Sequence, residues 1–276
     1  MIDFDRMFEC TKAIKFNDVK NAIDSFIYDD GFLTNCSGNI VRKNLKRELF
    51  DFNWSDDDYI FNFNNSNNVM AYEIYMDRHY EYESCKVNKN DVVVDIGANI
   101  GIFSRYACEL GASKVISYEP DPVNFKCLIE NSKEYNITPI NKAVSDINGQ
   151  IDFNVKKGSG IGTISGLDTI QFPNEFEKIV TVDCDTFDDV CKNNGLDKID
   201  FLKIDVEGAE KNIIYSMTQR DFDIVDKIVL EYHHSAFNFD DPAREDFIKY
   251  IVSMGYSNFY ILHLRGDNCN MMYFWK

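Results

Sequence analysis

Residues Asp91 to Gly101 read D-V-V-V-D-I-G-A-N-I-G, an apolar β-branched run that stops at an acid and then at spaced glycines. Val92, Val93 and Val94 favour a strand buried on both faces. Gly97 permits backbone angles that a side chain forbids, and it lets a ligand approach the main chain. A helix is expected at once, with Asn99 as its cap and Gly101 letting helix and strand pack closely. Ile102, Phe103, Tyr106, Ala107 and Leu110 carry the helical period up to Gly111. Strand, turn and helix in this order open a doubly wound α/β sheet.

The glycine spacing restricts the ligand. A dinucleotide site uses G-x-G-x-x-G, whose second glycine lets a pyrophosphate close onto the helix N-terminus, and that position is Asn99 here. G-x-x-x-G suits something less anionic. The next expected strand, Lys114 to Tyr118, ends in Glu119-Pro120, which puts a carboxylate beside the turn where such folds hold a ribose diol. Adenosine without pyrophosphate points to S-adenosylmethionine, with Asp95, Gly97, Asn99, Gly101, Glu119 and Asp121 as the expected cofactor-binding residues. Asp121 also opens a helix with Pro122 in its first turn, and Phe125, Leu128 and Ile129 form its inward face.

Four strings then align with one family. V-V-V-D-I-G-A-N-I-G at 92 to 101, Y-E-P-D-P at 118 to 122, A-V-S-D at 143 to 146 and D-F-L-K-I-D-V-E-G-A-E at 200 to 210 resemble the FkbM family of S-adenosylmethionine-dependent methyltransferases. They fall in that family's order and rough spacing, from about Tyr80 to Glu231. The resemblance implies a Rossmann-like class I methyltransferase fold, a mostly parallel doubly wound α/β sheet with an antiparallel C-terminal strand. It also implies Ala143 and Ser145 near the adenine, and methyl transfer to a hydroxyl of a saccharide or sugar-containing metabolite. Two alternatives stand beside it. One is an NAD-dependent oxidoreductase on the same fold, which the missing middle glycine opposes. The other is a non-catalytic adenosine-binding partner protein that docks through its N-terminal residues.

Further along, the third strand is expected at Pro139 to Val144, with strands at Ile151 to Val155 and Thr181 to Asp185 around a glycine-rich loop, Gly158 to Gly162, that suits a substrate flap. A short helix is expected from Asp185 to Asn194 and the fourth strand from Ile199 to Val206. In that strand Lys203 is forced into a buried run, and a buried ammonium requires a partner, which Asp205 or Glu207 supplies. The fifth strand, Lys227 to Tyr232, carries Glu231 and then His233, which point the same way and reach the same carboxyl edge as Asp205. His233 is the expected base, with Asp205 orienting it and Lys203 holding Asp205 ionised. A divalent metal held by Asp205, Glu231 and His233 is the alternative. Glu207, His234, Tyr75 and His79 are expected to face the acceptor. A helix over Pro242 to Met254 and an antiparallel pair, Asn258 to Leu264 with Asn270 to Trp275, close the sheet.

Length and charge bound the rest. A chain of 276 residues accommodates one catalytic domain, expected at 83–276, and an N-terminal extension, 1–82. The extension is expected to hold a helix after Asn17 and strands at Tyr59 to Phe63 and Val69 to Tyr75, and to serve substrate selection or homo-oligomer contacts. A formal charge of -17 opposes nucleic acid as partner, leaving a small-molecule or glycan acceptor. The eight cysteines form no C-x-x-C pair, no apolar run is long enough to span a bilayer, and Asp3, Asp5 and Glu9 interrupt any leader. A cytoplasmic protein with reduced thiols and no membrane partner is the expectation.

Overall fold

The computed structural model describes residues 70, 73–75, 77–156, 162–164, 176–233, 242–263 and 269–276. Its strands are β1 (Val92–Ile96), β2 (Lys114–Tyr118), β3 (Ile137–Ile140), β4 (Ala143–Val144), β5 (Gly149–Lys156), β6 (Gly162–Ile164), β7 (Phe176–Asp185), β8 (Phe201–Ile204), β9 (Lys227–His233), β10 (Asn258–His263) and β11 (Cys269–Trp275). The helices are α1 (Ile102–Glu109), α2 (Pro122–Ser132), α3 (Phe187–Asn194), α4 (Glu210–Ser216), α5 (Gln219–Ile224) and α6 (Pro242–Ser253).

Val93 and Val94 of β1 are fully buried because the strand is interior to a sheet ordered β10-β11-β9-β8-β1-β2-β3. It runs parallel to β2 and β8, while β11 runs antiparallel to β9 and β10. This is the Rossmann-like methyltransferase sheet with its reversed C-terminal strand. Ile96, Tyr118, Leu202, Ile204, Leu230 and Phe247 belong to the large core on the sheet. Each such side chain contributes about 1.5–3 kcal/mol when fully buried.

The third strand differs from expectation. Residues 139–144 split into β3, in the large sheet, and β4, which pairs with β7 in a second sheet ordered β4-β7-β5-β6. The break is at Asn141, whose side chain donates to the carbonyls of Glu119 and Pro120 and so ties the chain to the end of β2. The two strands around the glycine-rich loop are longer than their periodicity indicated and pair with each other along their length. Asn99 does not cap α1. Gly101 does, at φ 88°, while the Asn99 side chain accepts the Ile100 N–H. Helices α3 and α5 each start with a threonine capping box, Thr186 with Asp189 and Thr218 with Asp221.

The chain divides into two compact units, Met1–His79 and Tyr80–Lys276. In the first, Glu73–Tyr75 is helical where a strand was expected, in keeping with the four-residue spacing of Met70 and Ile74. The helix expected after Asn17, the strand at Tyr59 to Phe63, residues 158–161 of the glycine-rich loop and His234 lie outside the described residues. Burial pushes the thiols of Cys85, Cys184 and Cys191 up to about 12, so these free cysteines are inert packing groups. Among the described residues no helix is long and apolar enough to cross a membrane.

Candidate active site

At the carboxyl end of β1 the chain turns through three left-handed residues, Gly97 (φ 80°), Asn99 (φ 52°) and Gly101. The N–H groups of Gly97 and Ala98 both donate to the Tyr118 carbonyl, which fastens the turn to β2. On the other side, a Cβ built on Gly97 would lie 1.7 Å from the Asp205 carbonyl oxygen. Gly97 is therefore required by the end of β8 itself. A Cβ on Gly101 would meet Leu128 at 2.7 Å, so its close packing is against α2 and not against a strand.

Glu119 follows β2 and is 5% exposed. Its Oε2 accepts the Asn99 N–H at 2.7 Å and its Oε1 the Asp121 N–H at 2.8 Å. Burial outweighs these bonds and pushes the carboxyl up to about 8. Asp121 and Asp95, expected to touch the cofactor, are spent on the scaffold. Asp121 accepts the Val123 and Asn124 N–H groups as the cap of α2. Asp95, 0% exposed, accepts the Ser104 hydroxyl at 2.6 Å and the Lys203 ammonium at 3.0 Å. Ala143 and Ser145 are buried beside the second sheet. Ala143 pairs with Cys184, and the Ser145 N–H is taken by the Asp185 carbonyl.

Lys203 is 3% exposed and stands opposite Asp95 in the β1–β8 register. Its ammonium also donates to the Gly97 carbonyl at 2.9 Å, lies 3.7 Å from Asp205 Oδ2, and sits 5.2 Å from the Tyr80 ring centre. Burial would push the ammonium down, but Asp95 and Asp205 outweigh it and hold it above its ordinary value. A side chain so enclosed acts by position, and its nearest carboxylate is Asp95, where Asp205 or Glu207 was expected.

The second half of the edge is a cluster at the ends of β8 and β9. Asp205 Oδ2 accepts the Tyr80 hydroxyl at 2.8 Å. Asp205, Glu231 and His233 each place one ligand atom within 4.8 Å of the others. His233 Nδ1 bonds Glu210 Oε1 at 2.8 Å, and its Nε2 lies 3.6 Å from Glu207 and 3.7 Å from Glu231. Burial would lower the imidazole, but Glu210, Glu207 and Glu231 outweigh it and hold His233 well above the usual histidine range. Glu207 has φ 55°, and its carbonyl accepts the hydroxyl of Thr163, a 0% exposed residue of β6. Positive φ at a non-glycine residue is a local strain that surrounding contacts hold in place.

The structure thus brings together Asp205, Glu207, Glu231 and His233 as the strand ends predicted. Tyr75 and His79 belong to the other unit, where Tyr75 is buried and His79 lies 3.7 Å from Asp77. Tyr80, Glu210 and Thr163 were missed. Glu210 was visible as the last acid of D-V-E-G-A-E, but nothing local distinguishes it from an ordinary first-turn acid of a helix.

Residues 95–257 match the model of the methyltransferase FkbM domain. The 2-O-methyltransferase NoeI of Sinorhizobium fredii is 30% identical over 156 residues, covering 49% of this chain and 61% of its own length. The 31-O-demethyl-FK506 methyltransferase FkbM of Streptomyces tacrolimicus is 29% identical over 189 residues, 58% of this chain and 72% of its own. The hexuronic acid methyltransferase AglP of Haloferax volcanii is 26% identical over 151 residues, 54% of this chain and 58% of its own.

Proposed function

The chain belongs to the FkbM methyltransferase family, and from that premise we propose that it is an O-methyltransferase that binds S-adenosylmethionine on the turn after β1 and methylates a hydroxyl of a saccharide or sugar-containing metabolite. One observation carries the reading. The Gly97 to Asn99 turn is pinned between the two halves of the sheet edge, with Gly97 against the Asp205 carbonyl and the Asn99 N–H on Glu119. A ligand on this turn has Glu119 on one side and the Asp205 cluster on the other.

The residues fit the cofactor. Glu119, with two backbone N–H groups and the Asn124 side chain turned toward it, retains lone-pair capacity for a ribose hydroxyl. Asn99 occupies the position where a pyrophosphate site needs glycine, which opposes NAD. S-adenosylmethionine supplies an electrophilic methyl group on a sulfonium. The chain supplies position and a route for the acceptor's proton, since an alcohol is a poor nucleophile at neutral pH. Asp205, fixed by Tyr80 and neighboured by Lys203, is the carboxylate we assign to accept the hydroxyl's hydrogen bond. The relatives support O-methylation, since two are named for O-methyl positions, and the third, named for hexuronic acid, supports a saccharide acceptor. The charge of -17 favours a glycan or small molecule over nucleic acid.

The test is incubation with isotopically labelled S-adenosylmethionine and a panel of saccharides, followed by mass spectrometry. A labelled methyl ether on a sugar is the expected product. If the protein bound S-adenosylhomocysteine yet methylated nothing in a panel of sugars, polyols and phenols, the proposed activity would be wrong.

A further inference from the structure

Asp205, Glu231 and His233 come from the ends of two adjacent strands, and their donor atoms lie within 4.8 Å of one another. Donors that share one ion at bond lengths of about 2.1 Å stand roughly 3 to 3.5 Å apart, so small side-chain rotations close this triangle. The histidine is already arranged for ligation. Glu210, 1% exposed and held by the N–H groups of Gly208 and Val206, occupies His233 Nδ1, which leaves Nε2 facing Glu231 and Glu207. A buried carboxylate on one ring nitrogen with the other facing carboxylate oxygens is the arrangement that orients metal-binding histidines.

Charge points the same way. Asp205, Glu207, Glu210 and Glu231 surround one imidazole, and the nearby ammonium of Lys203 lies 3.7 Å from Asp205 Oδ2 but donates to Asp95 and the Gly97 carbonyl. We propose that Asp205, Glu231 and His233 Nε2 bind one divalent transition cation, with Glu210 as the residue that positions the histidine. One imidazole nitrogen and two carboxylate oxygens suit manganese, iron or zinc better than magnesium, which favours an all-oxygen shell. The site deepens the methyltransferase reading above and rests on it for its use: a cation here binds the acceptor hydroxyl and lowers its pKa.

Manganese(II) is the probe, added to the chelator-treated full chain and followed by electron paramagnetic resonance and calorimetry, which need no acceptor. One equivalent should bind with a dissociation constant below about 100 μM. The Asp205→Asn, Glu231→Gln double variant should lose this binding while retaining the circular dichroism of the parent. Glu210→Gln, with all three ligands intact, should weaken it about 10- to 100-fold. Zinc added to the parent chain should shift the His233 Nε2 resonance, a readout that requires no variant to fold. Identical isotherms for parent and double variant, or no shift of Nε2 with zinc, would overturn the site, and unchanged affinity in Glu210→Gln would overturn the positioning role. Cofactor binding is measured separately with S-adenosylhomocysteine, so its loss and the loss of metal binding are told apart.

Discussion

The two halves of the sheet edge are built by opposite means. Around β1 and β2 the site is mostly backbone: left-handed residues, N–H groups of Asn99 and Asp121 on Glu119, and carbonyl contacts too close for any side chain at 97. Around β8 and β9 it is side chain upon side chain, four acids about one histidine, with Tyr80 brought in from far upstream. The first half resists change because its parts have no rotamers to move. The second is held by charge between side chains.

Gly97→Ala tests the rigid half most severely. The new Cβ has nowhere to go but into the Asp205 carbonyl, and φ 80° adds strain, so a loss of about 4 kcal/mol or more is expected in urea denaturation. A variant of near-parental stability would mean that the turn and β8 are not in contact. Lys203→Met comes next, because it strips the buried Asp95 of its counter-ion, at a cost of about 3–5 kcal/mol. Adding Asp95→Asn should recover part of that loss. No recovery would show that the lysine serves the β8 cluster rather than the turn.

Glu119 sharpens the comparison by pH. Folded, it keeps its proton up to about 8, whereas an unfolded glutamate loses it near 4.5. Between those values the folded state holds the extra proton, so this group's contribution to stability falls as pH rises from 4.5 to about 8. Glu119→Gln should flatten that part of the profile. Glu119→Ala should weaken S-adenosylhomocysteine by about 10-fold in calorimetry, the loss of a hydrogen bond to a neutral carboxyl of up to about 1.5 kcal/mol. The smallest effect belongs to Thr163→Val, which removes one hydrogen bond to the Glu207 carbonyl, for about 1 kcal/mol by thermal denaturation. A larger loss would mark β6 as a support of the whole cluster.

Much of this was legible in order of locality. The β-branched run marked β1, Gly97 marked the turn, and the acid behind β2 was identified by its place at a strand end. Lys203 was recognisable as a buried cation in need of a partner. Its nearest partner was not, because Asp95 lies 108 residues earlier and meets Lys203 only through the parallel register of β1 with β8. His233 was legible as a titratable group at a strand end, but the acids that raise it above the usual histidine range were not, because Glu207 and Glu210 come from the turn and helix after another strand and join Glu231 only in the fold.

The sequence by itself determined the α/β class, the order of strand and helix, and which residues end strands at the carboxyl edge. Those features depend on periodicity, turn residues and caps, which act over a few neighbours in the chain. The tertiary structure alone decided that Asn141 ends β3, that Tyr80 reaches Asp205 and that Glu210 reaches His233. Such pairings depend on strand register and on the path of each crossover. A hydrogen bond near 3 Å leaves no tolerance for an error of one residue, and no local pattern carries that information.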